Sequence, residues 1–317
     1  MDAGALAADL ARRSHGFPAA LALLTPDGDH LVTHRCTTGS SFEIGSITKG
    51  VTGLLYHDAL ARGEVTPDTR LGDLLPVGEG PVAGIRLADL ATHRSGLPRV
   101  LVSHNLRRSW DYLRRGTNPY AGPVDELFEL ARTARLRRPG RPSYSNAGFQ
   151  LFGHALAAAV PLDYPDLVAS RIAGPLGLSA FQLPSSAAAL PPSALPGHNR
   201  GTAVEPWTGE AIGPAGGVRA SLDAMVRFAR ALLDGVAPGI AALDPVVDFA
   251  GPAVRIGAAW IVTDRRDRGV LTWHNGGTGG FRSYLGLARD TGRAVVALGS
   301  TTHALDSLAL RVLDDAG

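Results

Sequence analysis

The run Phe42-Glu43-Ile44-Gly45-Ser46-Ile47-Thr48-Lys49-Gly50 holds the only lysine of a 317-residue chain. Every other residue of its Lys+Arg complement is an arginine. An arginine stays protonated at any accessible pH, whereas a desolvated lysine loses its proton near neutrality and then accepts one from a hydroxyl. Ser46 and Lys49 are three residues apart, which on a helix places them on one face with Cβ atoms about 5–6 Å apart. The pair therefore reads as a candidate nucleophile and its base. A solvated surface lysine is the plainer reading of an isolated Ser-x-x-Lys string. The residues that follow argue against it. Val51, Leu54, Leu55, Ala59 and Leu60 recur at helical spacing and are closed by Arg62 and Gly63, which predicts an amphipathic helix with a glycine stop. Ser46 then stands at the amino end of a buried helix, where free N–H groups and the helix dipole favour developing negative charge.

Outward from this helix, residues 19–24 and 31–36 are short apolar runs bridged by Thr25-Pro26-Asp27-Gly28-Asp29, which predicts a hairpin. Strand patterns return at residues 255–263, 270–273, 281–288 and 293–300, and a final helical pattern covers 304–314. Residues 1–15 predict a further amphipathic helix. Strands at both ends with the Ser46 helix between them predict one antiparallel sheet, built from the two termini and flanked by helices, an α/β fold of the α+β kind. The middle is rich in Leu, Ala, Arg and Pro, with helical patterns at 87–91, 124–135, 146–159 and 164–173. The expected organisation is a sheet domain from residues 1–70 and 215–317, an inserted helical lobe from 71–214, and an active cleft at their interface.

Hydrophobic residues at 45%, charged residues at 19% and a formal charge of +2 describe a globular chain with material for a large core, and exclude nucleic-acid binding on charge grounds. The single Cys36 cannot form an internal disulfide and reads as a small apolar strand residue. No apolar run approaches membrane-spanning length, and the start of the chain lacks the pattern of a secretory leader, so the expected setting is cytoplasmic and without membrane contact. His30 and His34 share a strand face but have no third ligand at suitable spacing. No metal and no cofactor are expected.

Two further constellations carry chemistry. In Tyr144-Ser145-Asn146, alternate residues of an extended segment face the same way, which offers a phenol for proton transfer and an amide for a substrate carbonyl or for Lys49. A surface turn is the competing reading. In Trp273-His274-Asn275-Gly276-Gly277-Thr278-Gly279-Gly280-Phe281, a histidine at a strand end enters a glycine-rich segment that would let a substrate approach the backbone. It lacks the Gly-Lys-Ser/Thr ending of a phosphate-binding loop. His274 could equally be a structural strand residue.

Together, Ser46-Ile47-Thr48-Lys49, Tyr144-Ser145-Asn146 and His274-Asn275-Gly276 resemble, in order and rough spacing, the three motifs of the serine beta-lactamase and penicillin-binding-protein superfamily. The resemblance is greatest to the branch with class C beta-lactamases, D-Ala-D-Ala carboxypeptidases and family VIII esterases. Leu90-Ala91-Thr92-His93-Arg94-Ser95-Gly96-Leu97-Pro98 and Gly213-Pro214-Ala215-Gly216-Gly217-Val218-Arg219-Ala220-Ser221 are similar to supporting segments of that group. The resemblance spans about residues 15–300 and implies a beta-lactamase/transpeptidase-like fold. It implies Ser46 as nucleophile, Lys49 as its base, Tyr144 as proton shuttle, Asn146 and His274 as substrate-binding groups, and the backbone N–H groups of Ser46 and Gly277, beside Gly276, as the oxyanion hole. The third motif begins with His274 where many lactamases have lysine, so a fixed positive charge for an anionic substrate is absent there. The expectation is an intracellular serine hydrolase or acyltransferase acting on a small-molecule ester or amide. The alternatives are a beta-lactamase or D-alanyl-D-alanine carboxypeptidase, and a catalytically silent ligand-binding member of the fold.

Residues 99–141 carry arginines at 99, 107, 108, 114, 115, 132, 135, 137, 138 and 141 against Asp111, Asp125, Glu126 and Glu129. This is either a solvated face of the lobe or a docking region for an acidic acyl donor or carrier protein.

Overall fold

Ala19–Thr25 (β1) contains no charged side chain and is buried on both faces, so it requires a neighbour on each edge and a layer above and below. A computed structural model, which describes residues 3–101, 117–120 and 122–316, supplies all four. One neighbour is Gly28–His34 (β2), largely exposed and forming an edge of the sheet. Three short strands follow outside that sheet or far from β1: Ser41–Glu43 (β3), Gly197–Asn199 (β4) and Thr202–Val204 (β5). Arg219–Ser221 (β6) pairs with β3, and β4 pairs with β5. The remaining strands are Val247–Asp248 (β7), Val254–Ile256 (β8), Ile261–Asp264 (β9), Val270–Gly277 (β10), Arg282–Ala288 (β11) and Arg293–Gly299 (β12). The main sheet runs β2-β1-β12-β11-β10-β9-β8-β7, with antiparallel pairing throughout. Its first two strands come from one end of the chain and the rest from the other.

The two-residue alternation of β1 separates two cores. Ala19, Leu21 and Leu23 face a layer made by Leu6 and Leu10 of α1 (Ala3–Arg13) and by Leu308, Ala309, Val312 and Leu313 of the carboxyl-terminal helix. Ala20, Ala22 and Leu24 face the larger core, which contains Ile47, Val51, Leu54 and Leu55 of α2 (Ile47–Ala61). That core continues without a break into the helices of the middle region: α3 (Leu71–Leu74), α4 (Leu87–Ala91), α5 (Val124–Arg132), α6 (Asn146–Ala159) and α7 (Tyr164–Val168). The short α8 (Gly213–Gly216) and then α9 (Leu222–Leu233) return the chain to the sheet, which α10 (Asp306–Asp315) completes. No helix among the described residues is long and apolar enough to cross a membrane.

Several expectations change. The run at 255–263 is two strands, β8 and β9, paired antiparallel through residues 257–260. Gly-Ala-Ala-Trp carries no polar turn signal because this turn is buried: Trp260 is inaccessible to solvent and its indole N–H donates to the Gly50 carbonyl at 3.2 Å. The pattern at 270–273 extends to Gly277, so His274 lies inside a strand and not at its end; pairing with β11 overrides the poor strand propensity of the glycines. The 124–135 pattern ends at Arg132, and the 164–173 pattern is a short α-helix followed by a π-helical turn at Ala169–Ala173. Among the arginines of the 99–141 stretch, Arg107, Arg108, Arg114 and Arg115 lie outside the described residues, and Arg99, Arg132, Arg135, Arg137, Arg138 and Arg141 are exposed.

Helix α2 approaches residues 258–260 through glycine. A Cβ added at Gly53 would lie 2.1 Å from the Ala258 carbonyl oxygen, a backbone atom that cannot rotate away. Elsewhere in a helix Gly→Ala gains up to about 1 kcal/mol. Here Gly53→Ala is expected to lower unfolding stability by about 1–3 kcal/mol, as overpacking does, measurable by urea titration. A stabilised variant would mean that the two segments can separate freely.

Candidate active site

Ser46 occupies the amino-terminal cap of α2, and its side chain caps no backbone N–H, so Oγ is available for other work. One turn along, Lys49 is fully buried. Its Nζ lies 3.1 Å from Ser46 Oγ and 2.5 Å from the Ala215 carbonyl oxygen in α8. Burial pushes the Lys49 amine well below its ordinary pKa, and the Arg99 guanidinium pushes the same way. As a free amine, Lys49 keeps an N–H on Ala215 O and turns its lone pair to the Ser46 hydroxyl, which then donates. This is the geometry of a nucleophile and its base.

Tyr144 completes the triangle. The Lys49 Nζ position is 5.0 Å from the Tyr144 ring centroid. Burial pushes the Tyr144 phenol up to about 12, with the neighbouring Ser46 hydroxyl and Arg99 opposing. The phenol therefore stays protonated under conditions in which Lys49 is driven toward its free base. Ser145 caps α6 by accepting from the Gly148 N–H at 2.9 Å, and its own hydroxyl donates to the Pro98 carbonyl at 2.6 Å. This fixes Tyr144 just outside the helix and Asn146 just inside it. The amide of Asn146 does not hold Lys49. Its Nδ2 donates to the Tyr120 hydroxyl at 3.0 Å, and its buried Oδ1 has no partner among the described residues.

The third motif reaches Ser46 from the opposite side. Gly45 has φ +50, and a Cβ there would meet Gly277 N at 2.7 Å, so the backbone N–H of Gly277 lies against the residue preceding the nucleophile. Gly276 faces the Ile44 carbonyl, to which the Ser283 hydroxyl donates at 2.7 Å. His274 is buried, and its Nδ1–H donates to the Asn275 carbonyl at 2.7 Å. Burial and the nearby Lys49 bring it down to about 4, so it is a neutral imidazole at neutral pH.

Some contributors gave little sequence signal. His93 appeared only inside a segment of family resemblance. It is buried, accepts the Ser145 backbone N–H at Nδ1 (3.2 Å), and lies tilted against the Tyr144 ring with centroids 4.5 Å apart. Burial, Lys49 and His274 all disfavour its protonation. The Ala215 carbonyl is a backbone group, which no side-chain pattern reveals. Glu43 was visible as a charge in an apolar strand, but its partner was not. It pairs with Arg219 at 3.1 Å inside the β3–β6 ladder, both side chains being almost inaccessible, and accepts the Trp207 N–H at 2.9 Å. Burial pushes Glu43 up and Arg219 down more than their attraction restores, so the pair costs much of what it gains. It does fix β3, the strand that leads into Ser46. Among the described residues no three His, Cys, Asp or Glu side chains are grouped as metal ligands.

Arg219→Met would strand a buried carboxylate and is expected to cost about 3–5 kcal/mol, with part of the loss recovered when Glu43→Gln is added; chemical denaturation of the single and double variants measures both. For His274 the folded pKa of about 4 lies below the unfolded value near 6.5, so between these pH values the unfolded chain binds the extra proton. Stability is therefore expected to fall on acidification from pH 7 toward 4, by up to about 1.4 kcal/mol per unit from this residue. Melting curves of wild type and His274→Asn should show the shallower pH dependence in the variant.

Comparison with known proteins places this geometry. The Beta-lactamase family profile matches residues 5–316. Penicillin-binding protein 4 of Amycolatopsis lactamdurans is 30% identical over 251 residues, covering 73% of this chain and 63% of that protein. A beta-lactamase of Escherichia coli (strain K12) is 29% identical over 206 residues, covering 62% and 49%. The chain thus spans roughly half to just under two thirds of the length of these two relatives. In fold it is similar to a class C beta-lactamase from Rhodobacter sphaeroides, with TM-score 0.81, 20% identity and coverage of 98% and 97%. It is likewise similar to a beta-lactamase/D-alanine carboxypeptidase from Pseudomonas syringae, with TM-score 0.84, 16% identity and coverage of 99% and 98%. With its profile match extending over nearly the whole sequence, the chain belongs to the beta-lactamase family, within the serine beta-lactamase and penicillin-binding-protein-like superfamily.

Proposed function

We propose that this protein is a serine acyl-enzyme hydrolase or acyltransferase that acts on a small-molecule ester or amide. The observation that carries the reading is the contact of Ser46 Oγ with a fully buried Lys49 Nζ at 3.1 Å, a site where burial favours the free amine. Lys49 takes the proton as Ser46 attacks the carbonyl carbon, and Tyr144, held as a phenol, gives a proton to the leaving oxygen or nitrogen. The acyl group stays on Ser46 until water or another nucleophile, deprotonated by the same pair, displaces it. The N–H groups of Ser46 and Gly277 are the donors proposed for the oxyanion. Asn146 Oδ1, buried and unpartnered, is a natural acceptor for an N–H or O–H of the substrate.

His274, neutral near pH 7, favours uncharged esters and amides at its own position over an anion held by a fixed cation. The names of the relatives support a second reading, a beta-lactamase or D-alanyl-D-alanine carboxypeptidase. One experiment tests both. Intact mass after a fluorophosphonate, and separately after a beta-lactam, should show one adduct on wild type and none on Ser46→Ala. An adduct with the first reagent but not the second favours the ester or amide reading. No adduct with either leaves a silent ligand-binding protein. Lys49→Met, which keeps a side chain of similar length without a base and without a buried charge, is expected to lower 4-nitrophenyl ester turnover by about 10²–10⁴-fold. Product partitioning on adding an amine distinguishes transfer from hydrolysis.

A further inference from the structure

The three basic side chains of the site share a property: Lys49, His93 and His274 are buried, and burial drives each toward its neutral form. A permanent cation stands beside them. Arg99 follows Leu97-Pro98, and its carbonyl accepts the N–H groups of Asn146 and Ala147 at 3.0 and 3.2 Å, so its backbone is tied to the start of α6. Its guanidinium lies 5.3 Å from the centroid of the Tyr144 ring, while Lys49 Nζ is 5.0 Å from the same centroid. The side chain is exposed, and among the described residues no carboxylate is paired with it. A planar, always-charged fork beside the Tyr144 ring, exposed, carried on a fixed backbone and without a carboxylate partner among the described residues, is suited to a carboxylate on a ligand.

Resting on the reading of Ser46 as an acylated nucleophile, we propose that Arg99 is a specificity-determining residue: it recognises a carboxylate carried by the ester or amide substrate, and the enzyme prefers anionic substrates over matched neutral ones. Arg99 binds the anion at the cleft edge beside Tyr144, and His274 leaves the strand side of the cleft uncharged. The same guanidinium also disfavours a proton on Lys49, so its removal alters turnover of every substrate. A ratio between matched substrates cancels that common effect.

Two substrate pairs test the proposal: 4-acetoxybenzoate against its methyl ester, with the charge on the leaving group, and mono-4-nitrophenyl glutarate against 4-nitrophenyl valerate, with the charge on the acyl group. The expected result is a kcat/KM ratio of anionic over neutral substrate that is about tenfold or more higher in wild type than in Arg99→Gln for at least one pair. Arg99→Lys should lie between them, and the wild-type ratio should decline with added salt. The pair that responds identifies which side of the scissile bond carries the charge. Ratios within about twofold of wild type in Arg99→Gln for both pairs overturn the proposal. Fluorophosphonate labelling of Ser46 in each variant separates this failure from that of the underlying reading: labelled protein with unchanged ratios rejects Arg99 alone, whereas unlabelled wild type rejects the nucleophile.

Discussion

The burial of one amine governs this structure. Lys49 is enclosed by the Phe149 and Tyr144 rings at 5.9 and 5.0 Å and by α8, with a backbone carbonyl and a serine hydroxyl as its hydrogen-bond partners. A buried ammonium without a carboxylate is expensive, and the protein avoids that cost by favouring the free base. The neighbours obey the same constraint. His93 and His274 are disfavoured as cations, and Tyr144 is held as a phenol. An Arg at position 49 would carry its charge into the core, which accounts for a single lysine in a chain otherwise committed to arginine.

Holding that amine against Ser46 requires several segments to meet without side chains between them. Glycines make the close approach possible, since Gly53 lets residue 258 reach α2 and Gly45 lets the end of β10 lie beside the nucleophile. The Glu43–Arg219 pair then ties the approach to Ser46 to the segment that follows α8, whose Ala215 carbonyl receives Lys49. The nucleophile and the acceptor for its base are thus fixed by one continuous stretch of buried polar contacts. Such contacts contribute more to geometry than to net stability.

The hairpin at the start of the chain was legible as two apolar runs bridged by turn residues, and the Ser46 helix and the helix at 146–159 by their helical spacing of apolar residues. The turn at 257–260 was not, since its single Gly257 is followed by Ala258, Ala259 and a buried Trp260, and an apolar turn of this kind lacks the polar Asn, Asp or Ser residues that solvent-facing turns carry. The extension of β10 through His274 to Gly277 was missed for a related reason. Its glycines have weak strand propensity, and the ladder to β11 supplies the order.

At the site, residue types and their order in the chain mark Ser46, Lys49, Tyr144, Asn146, His274 and the glycines beside it, since the chemistry of a hydroxyl, an amine, a phenol and an imidazole belongs to each side chain. Their states belong to the fold. Whether His274 is charged, whether Asn146 bonds Lys49 or Tyr120, and whether His93 supports Tyr144 depend on burial and on partners far away in sequence. Desolvation and long-range hydrogen bonds are properties of packed space, so the sequence by itself determined which groups were available, and only the tertiary structure decided which are neutral, which are paired and which face the cleft.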